Sequence, residues 1–265
     1  MTDPATLRQR FLAEPLTLRN ERRDFPEWHR GRPHYVLWAL DVDEPAVRAR
    51  VAAAQHALDG LLLDGYVRQP HITLALCGFP ARGPLPAEDE FEPRRIATQV
   101  AALQADGPGA FDIAIGGLES FSSAPFLTVH DAGDTLSRLR RCLHAERAHP
   151  HGPYVPHVTV GLYAEAWPSA KVADRFGQVP AAPQLRHRVS RLSLLGYAAA
   201  QIGGALFTLA EYDLESGHMH WHAALAEDVG VRTVPPSGPR AIAHEHALGG
   251  RHPPTCAAPA EDTAR

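Results

Sequence analysis

Residues 70–79 read Pro-His-Ile-Thr-Leu-Ala-Leu-Cys-Gly-Phe, and residues 156–163 read Pro-His-Val-Thr-Val-Gly-Leu-Tyr. Each stretch carries a His-apolar-Thr-apolar tetrad behind a proline: His71-Ile72-Thr73-Leu74 in the first and His157-Val158-Thr159-Val160 in the second. At this composition about a tenth of one such tetrad is expected by chance, so two in matching contexts form a signal. Strand geometry explains why the pattern matters. Side chains alternate across a sheet, which puts His71 with Thr73 on one face and His157 with Thr159 on another, while the apolar members pack beneath helices. The next residues on those faces are Ala75 and Gly161, small enough to leave a cleft beside the polar pairs.

Working outward, both tetrads fall in a similar rhythm of elements. Residues 35–42 (YVLWALDV) read as a strand, and Asp43 caps a helix whose Val47, Val51, Ala54 and Leu58 share a face until Gly60. The first tetrad strand follows, then a helix carrying Ile96, Val100 and Leu103 that ends at Asp106-Gly107. Residues 111–115 and 126–130 read as strands, and Asp134 caps a helix with Leu136, Leu139 and Leu143 on one side. The second tetrad strand comes next, then a helix over 167–176 and closing strands over 189–195 and 206–214. The expected fold is α+β: two pseudo-symmetric lobes, each an antiparallel sheet with flanking helices, around a central groove. Residues 34–215 form this body, 1–33 an N-terminal extension lying over its surface, and 216–265, rich in proline and glycine, a mostly disordered tail.

Composition narrows the function. Lys and Arg number 26 against 30 Asp and Glu, a formal charge of −4, so extended duplex nucleic acid is not an expected partner. The cysteines Cys77, Cys142 and Cys256 are odd in number and far apart, which fits neither a disulfide framework nor a zinc knuckle. Neither a secretory leader nor an apolar run of membrane-spanning length is recognisable, and a cytoplasmic monomer away from membranes is expected. His218, His220 and His222 alternate as in a strand, yet their spacing matches no common zinc pattern, and no physiological metal site is expected. Signatures of nucleotide triphosphatases, dinucleotide oxidoreductases, zincins and serine esterases are missing from the chain. The arginines at 22, 23, 30 and 32 read as a solvated charged face, and Phe121 as turn packing.

Two imidazoles, each beside a hydroxyl, suit a reaction at phosphorus. A neutral histidine takes the proton of an attacking water or hydroxyl, and a protonated one gives a proton to the departing oxygen. The threonines hydrogen-bond the non-bridging oxygens, where charge sits in the transition state. This scheme needs neither metal nor cofactor. The order of the two roles is open at this level, and a bell-shaped pH dependence is expected.

With these motifs the chain resembles the two-histidine (2H) phosphoesterase superfamily, the 2'-5' RNA ligase-like and cyclic phosphodiesterase proteins, over about residues 34–215. Residues 111–121 (FDIAIGGLESF) before the second motif, and PYVPHVTVGLY at 153–163, add to the likeness. The resemblance implies catalytic roles for His71 and His157 and phosphate contacts by Thr73 and Thr159. It implies hydrolysis of a 2',3'-cyclic phosphate at an RNA end or on a nucleotide, typically leaving a 2'-phosphate. Other members act on 2'-5' linked or other cyclic phosphodiesters, and a non-catalytic module binding nucleotides or RNA ends is the alternative from another class. Members acting on tRNA often carry an arginine shortly after the second tetrad, where this chain has Gly161-Leu162-Tyr163. Tyr163, on the strand face of His157, and Tyr154 are therefore candidate substrate contacts.

Overall fold

The computed structural model describes residues 4–81, 83, 88–143, 154–179 and 182–231. The chain enters through α1 (Pro4–Ala13) and α2 (Pro26–His29), then forms β1 (His34–Asp41), α3 (Pro45–Ala57), β2 (His71–Pro80), β3 (Glu90–Phe91) and α4 (Arg94–Asp106). A second set follows: β4 (Phe111–Ser120), β5 (Pro125–His130), α5 (Thr135–Cys142), β6 (His157–Thr159), α6 (Ser169–Phe176) and β7 (Leu185–Val189). The chain then returns with β8 (Arg191–Ala198), β9 (Leu206–Asp213), β10 (Met219–Trp221) and α7 (Ala223–Val229).

Two sheets result, ordered β10-β9-β8-β1-β2-β3 and β6-β5-β4-β7. All their pairings are antiparallel except that of the short edge strand β3 with β2. The α+β expectation with one motif strand in each lobe is met. The first lobe is completed by β8, β9 and β10 from the end of the chain, so β1 is an interior strand. Its continuous apolar run follows from burial on both faces: Val36, Trp38 and Leu40 join the main core, while Leu37 and Ala39 pack with Leu195 and Leu206 on the opposite face. Val47, Val51 and Ala54 of α3 and Ile96 and Leu103 of α4 face the core as their spacing predicts. Among the described residues no helix is long and apolar enough to cross a membrane.

Local details depart from the sequence reading where contacts between distant residues decide them. Pairing of β1 with β2 passes from Ala39 opposite Thr73 to Trp38 opposite Ala75, which leaves Leu74 as the extra residue of a bulge. Beyond the bulge the faces exchange, so Ala75 enters the core and Leu76 takes the face of Thr73, where it is 55 % exposed. The space expected beside Gly161 is closed as well, because a Cβ there would stand 3.1 Å from Leu62. Asp134 lies at the start of α5 without a side-chain capping bond, and the carboxylate of Asp131 accepts the Leu136 N–H instead.

Both ends of the body extend past the expected boundaries. Leu7 and Phe11 of α1 are buried, and Arg8 forks onto Glu119 of β4 at 2.8 and 2.9 Å, so the start of the chain is part of the second lobe. At the other end, residues 216–231, read from sequence as tail, belong to the fold. Asp213 accepts the N–H groups of Glu215 and Ser216 to close a turn, β10 pairs with β9, and Ala226, Val229 and Val231 are buried. Three residues of strand and seven of helix are too short to announce themselves by periodicity among prolines and glycines. The remainder of the expected tail, 232–265, lies outside the described residues.

Candidate active site

His71 opens β2 and His157 opens β6, and both rings are held in the same way. Nδ1 of His71 donates to the carbonyl of Gln69 at 2.8 Å, and Nδ1 of His157 donates to that of Val155 at 2.7 Å. A carbonyl can only accept, so each Nδ1 carries hydrogen and each Nε2 is the basic nitrogen. The proline between each accepting carbonyl and its histidine, Pro70 or Pro156, fixes the extended backbone that brings the carbonyl under the ring.

The environments of the rings differ. His71 is 9 % exposed, and burial, aided by the nearby charges of Arg68 and His157, lowers its pKa from 6.5 to about 4. His157 is partly exposed and lies among aromatic rings, with Phe121 edge-on at 5.1 Å and Phe126 at 5.3 Å. Phe121 itself stacks on Phe126 at 4.3 Å, so its packing role includes a wall of the candidate site.

The depressed pKa of His71 links folding to pH. The unfolded chain binds this proton more readily, so the stability associated with neutral His71 is fully present above pH 6.5 and is lost as pH falls towards 4. Between pH 7.5 and 4.5 the loss amounts to on the order of 3 kcal/mol. Urea unfolding at the two values should show the parent losing that much more than His71→Gln; equal losses would mean the imidazole is not held neutral.

Thr73 and Thr159 stand two residues beyond their histidines, partly exposed, on the same strand faces. The Thr159 hydroxyl faces the Tyr66 phenol, whose pKa burial pushes up to about 12, so it remains protonated. Tyr66 and its neighbours Arg68 and Gln69 lie in the connection from α3 to β2, and the sequence reading passed over all three. The available signal was the string Tyr-Val-Arg-Gln-Pro ending against His71.

The two tyrosines expected to contact substrate are occupied elsewhere. Tyr163 is fully buried, its phenol 2.6 Å from Ser120 Oγ, because β6 ends at Thr159 and the chain turns to a bridge between Leu62 and Tyr163. Its position on the face of His157 therefore does not materialise. Tyr154 donates its hydroxyl to the Thr73 carbonyl at 2.9 Å, and the Arg140 guanidinium covers its ring at 3.7 Å. It is a strut between the motif strands, seconded by Arg140, which donates to the Leu74 carbonyl. Tyr163→Phe should accordingly cost about 1 kcal/mol of stability and leave turnover within about twofold of the parent. A large fall in turnover without unfolding would restore Tyr163 to the site.

Of the arginines read as a solvated charged face, Arg32 departs, its side chain 13 % exposed and laid over the Phe79 ring. Arg32 forks onto Asp89 at 2.6 and 2.7 Å and reaches Glu90 at 3.2 Å, and Arg23 pairs with Glu21 and Glu27. Among the described residues no group of three or more His, Cys, Asp or Glu side chains is arranged to hold a metal, the histidines at 218, 220 and 222 included. A cavity of about 720 Å³ between α4 and β10 contains neither motif histidine.

Solved structures similar to this chain include Escherichia coli LigT complexed with NADP+, at 17 % identity and TM-score 0.41, covering 69 % of this chain and 99 % of LigT. The protein TT0787 of Thermus thermophilus is similar at 15 % identity and TM-score 0.44, covering 69 % and 100 % of the two chains. No curated protein matches the chain. The model of the 2'-5' RNA ligase superfamily matches residues 39–201, a span that contains both tetrads and the strands presenting them. With that match over more than half its length, the chain belongs to the 2'-5' RNA ligase superfamily, the two-histidine phosphoesterases.

Proposed function

We propose that the protein is a phosphodiesterase that hydrolyses a 2',3'-cyclic phosphate on a nucleotide or at an RNA end, using His71 and His157 as its acid and base and needing no metal. The observation that carries the reading is the shared geometry of the two imidazoles. Each has Nδ1–H fixed on the carbonyl two residues before it, and each stands beside a threonine hydroxyl on its own strand face. Nothing in a structural role for either histidine calls for the same arrangement in both lobes.

The asymmetry of burial supports one order of the roles. A histidine of pKa about 4 is neutral at physiological pH and able to accept a proton, which favours His71 as the base. Water attacks phosphorus as its proton passes to His71 Nε2; the bond from phosphorus to the ribose oxygen breaks, and that oxygen takes a proton from His157. One P–O bond forms and one breaks, and the proton on His71 returns to solvent. Thr73 and Thr159 hydrogen-bond the non-bridging oxygens. The acid limb of kcat/KM in the free enzyme then reflects His71 and lies near pH 4.

The test is turnover of 2',3'-cyclic AMP, GMP, CMP and UMP, and of an RNA oligomer ending in a 2',3'-cyclic phosphate, with chelator present. Hydrolysis by the parent that disappears in either histidine variant supports the reading. Tight nucleotide binding without hydrolysis by well-folded parent protein would overturn it in favour of a binding module.

A further inference from the structure

We propose that Arg68 is a catalytic residue of this site: its guanidinium contacts a non-bridging oxygen of the phosphate held between the two histidines, supplying the full positive charge that threonine hydroxyls lack. The inference rests on reading the groove as a phosphoester site, and it adds a residue outside both tetrads.

The first observation is where the charge is spent. Arg8, Arg23, Arg32, Arg48, Arg94, Arg138, Arg188 and Arg191 all have carboxylate partners. Arg50 is spent on the carbonyls of Ile115, Gly116 and Pro183. Arg68 is half-buried and has no carboxylate partner among the described residues. It spends one donor, Nε, on the Gly204 carbonyl at 3.2 Å, and lays its guanidinium 4.2 Å over the Tyr197 ring. Its terminal nitrogens have no acceptor among the described residues. A guanidinium presents five donors in a planar fork suited to two oxygens of one phosphate. A half-buried cation with its fork unspent is a place for an anion.

The second observation is how firmly the fork is placed. Val67 N–H donates to the Gly203 carbonyl at 3.0 Å. The Gln69 side chain both accepts from Leu206 N–H at 2.8 Å and donates to the Leu206 carbonyl at 3.1 Å. These bonds tie residues 67–69 to the turn between β8 and β9. Gly203 is needed there, with φ +67° and Tyr66 so close that a Cβ would lie 2.8 Å from its ring. The tied segment reaches both motifs. The Gln69 carbonyl orients His71, Arg68 is near enough for its charge to act on that ring, and Tyr66 faces Thr159. Arg68 is thereby held beside the first tetrad by bonds to the turn, and its charge is in place before substrate arrives.

The experiment compares the parent with Arg68→Ala, Arg68→Lys and Arg68→Met, the last retaining an aliphatic stem against Tyr197. Inorganic phosphate is titrated while the imidazole resonances of His71 and His157 are followed, turnover of 2',3'-cyclic nucleotides is measured, and melting temperature reports folding. Phosphate Kd should rise about tenfold or more in the Ala and Met variants, with partial recovery in Lys. The kcat/KM should fall about a hundredfold, with melting temperature little changed. Phosphate binding in a folded Ala or Met variant within about twofold of the parent overturns the assignment. So does a parent whose imidazoles do not respond to phosphate. A parent that binds phosphate but hydrolyses none of the cyclic nucleotides retires the hydrolase reading alone; the binding data still decide the role of Arg68.

Discussion

Replacing either His71 or His157 by Asn should lower kcat for the proposed 2',3'-cyclic nucleotide hydrolysis by about 10² to 10⁴-fold, the range that a positioned acid or base contributes. Asn keeps a group able to donate to the Gln69 or Val155 carbonyl, so the strand geometry survives while Nε2 is removed. The losses differ in their response to pH. His71→Asn removes the base, so the limb near pH 4 disappears and residual rate rises with hydroxide concentration. His157→Asn removes the acid, and the residual rate improves for substrates whose leaving oxygen needs no proton, such as aryl phosphodiesters. The double variant falls less than the product of the single losses, because an acid and a base that act in one step are worth little alone. Single-turnover measurements across pH 3.5 to 9 check all three statements. Equal rescue of both variants by an activated leaving group would refute the assignment of His71 as base and His157 as acid.

The histidine roles depend on facts of unequal legibility. The tetrads and their strand faces follow from period-two geometry, and the main helices follow from residues such as Val47, Val51 and Ala54, whose local spacing matches their burial. The bulge at Leu74 has no local signature. It arises from the register that β1 imposes, and it exchanges Ala75 for Leu76 on the groove face. Tyr163 illustrates the same limit: a strand reading carried past Thr159 puts it beside His157, whereas the bridge to Leu62 turns it into the core. Arg68 acquires its place through its bond to the Gly204 carbonyl, in a turn more than a hundred residues later in the chain, and Tyr66 packs against Gly203 of the same turn. The depressed pKa of His71 is likewise a property of its burial, and the tetrapeptide carries no trace of it. Sequence spacing therefore located the two histidine–threonine pairs, and long-range contacts determine their burial and their neighbours.

Gln99→Leu destabilises the protein by about 2 to 6 kcal/mol, the sum of two buried polar groups each left without a partner at about 1 to 3 kcal/mol. Gln99 is fully buried in the middle of α4, an unusual place for an amide. Its Oε1 accepts from Trp38 Nε1 at 2.9 Å, and its Nε2 donates to the Leu143 carbonyl at 2.7 Å. Trp38 is on β1 beside the motif strand β2, and Leu143 caps α5, whose Arg140 holds the Leu74 carbonyl of that same strand. The amide thus joins the first lobe to the helix preceding the second motif. Leu is close to Gln in volume, so little of the cost arises from a cavity, and the urea midpoint should fall with the slope of the transition unchanged. Adding Trp38→Phe to Gln99→Leu removes the stranded indole N–H. The double variant should consequently lose less than the sum of the single losses, by about 1 kcal/mol or more. Strict additivity, or a Gln99→Leu variant as stable as the parent, would show that the amide is not the bond between the lobes. The same urea series, followed by the His71 imidazole resonance, reports whether loosening this joint reaches the base before the fold is lost.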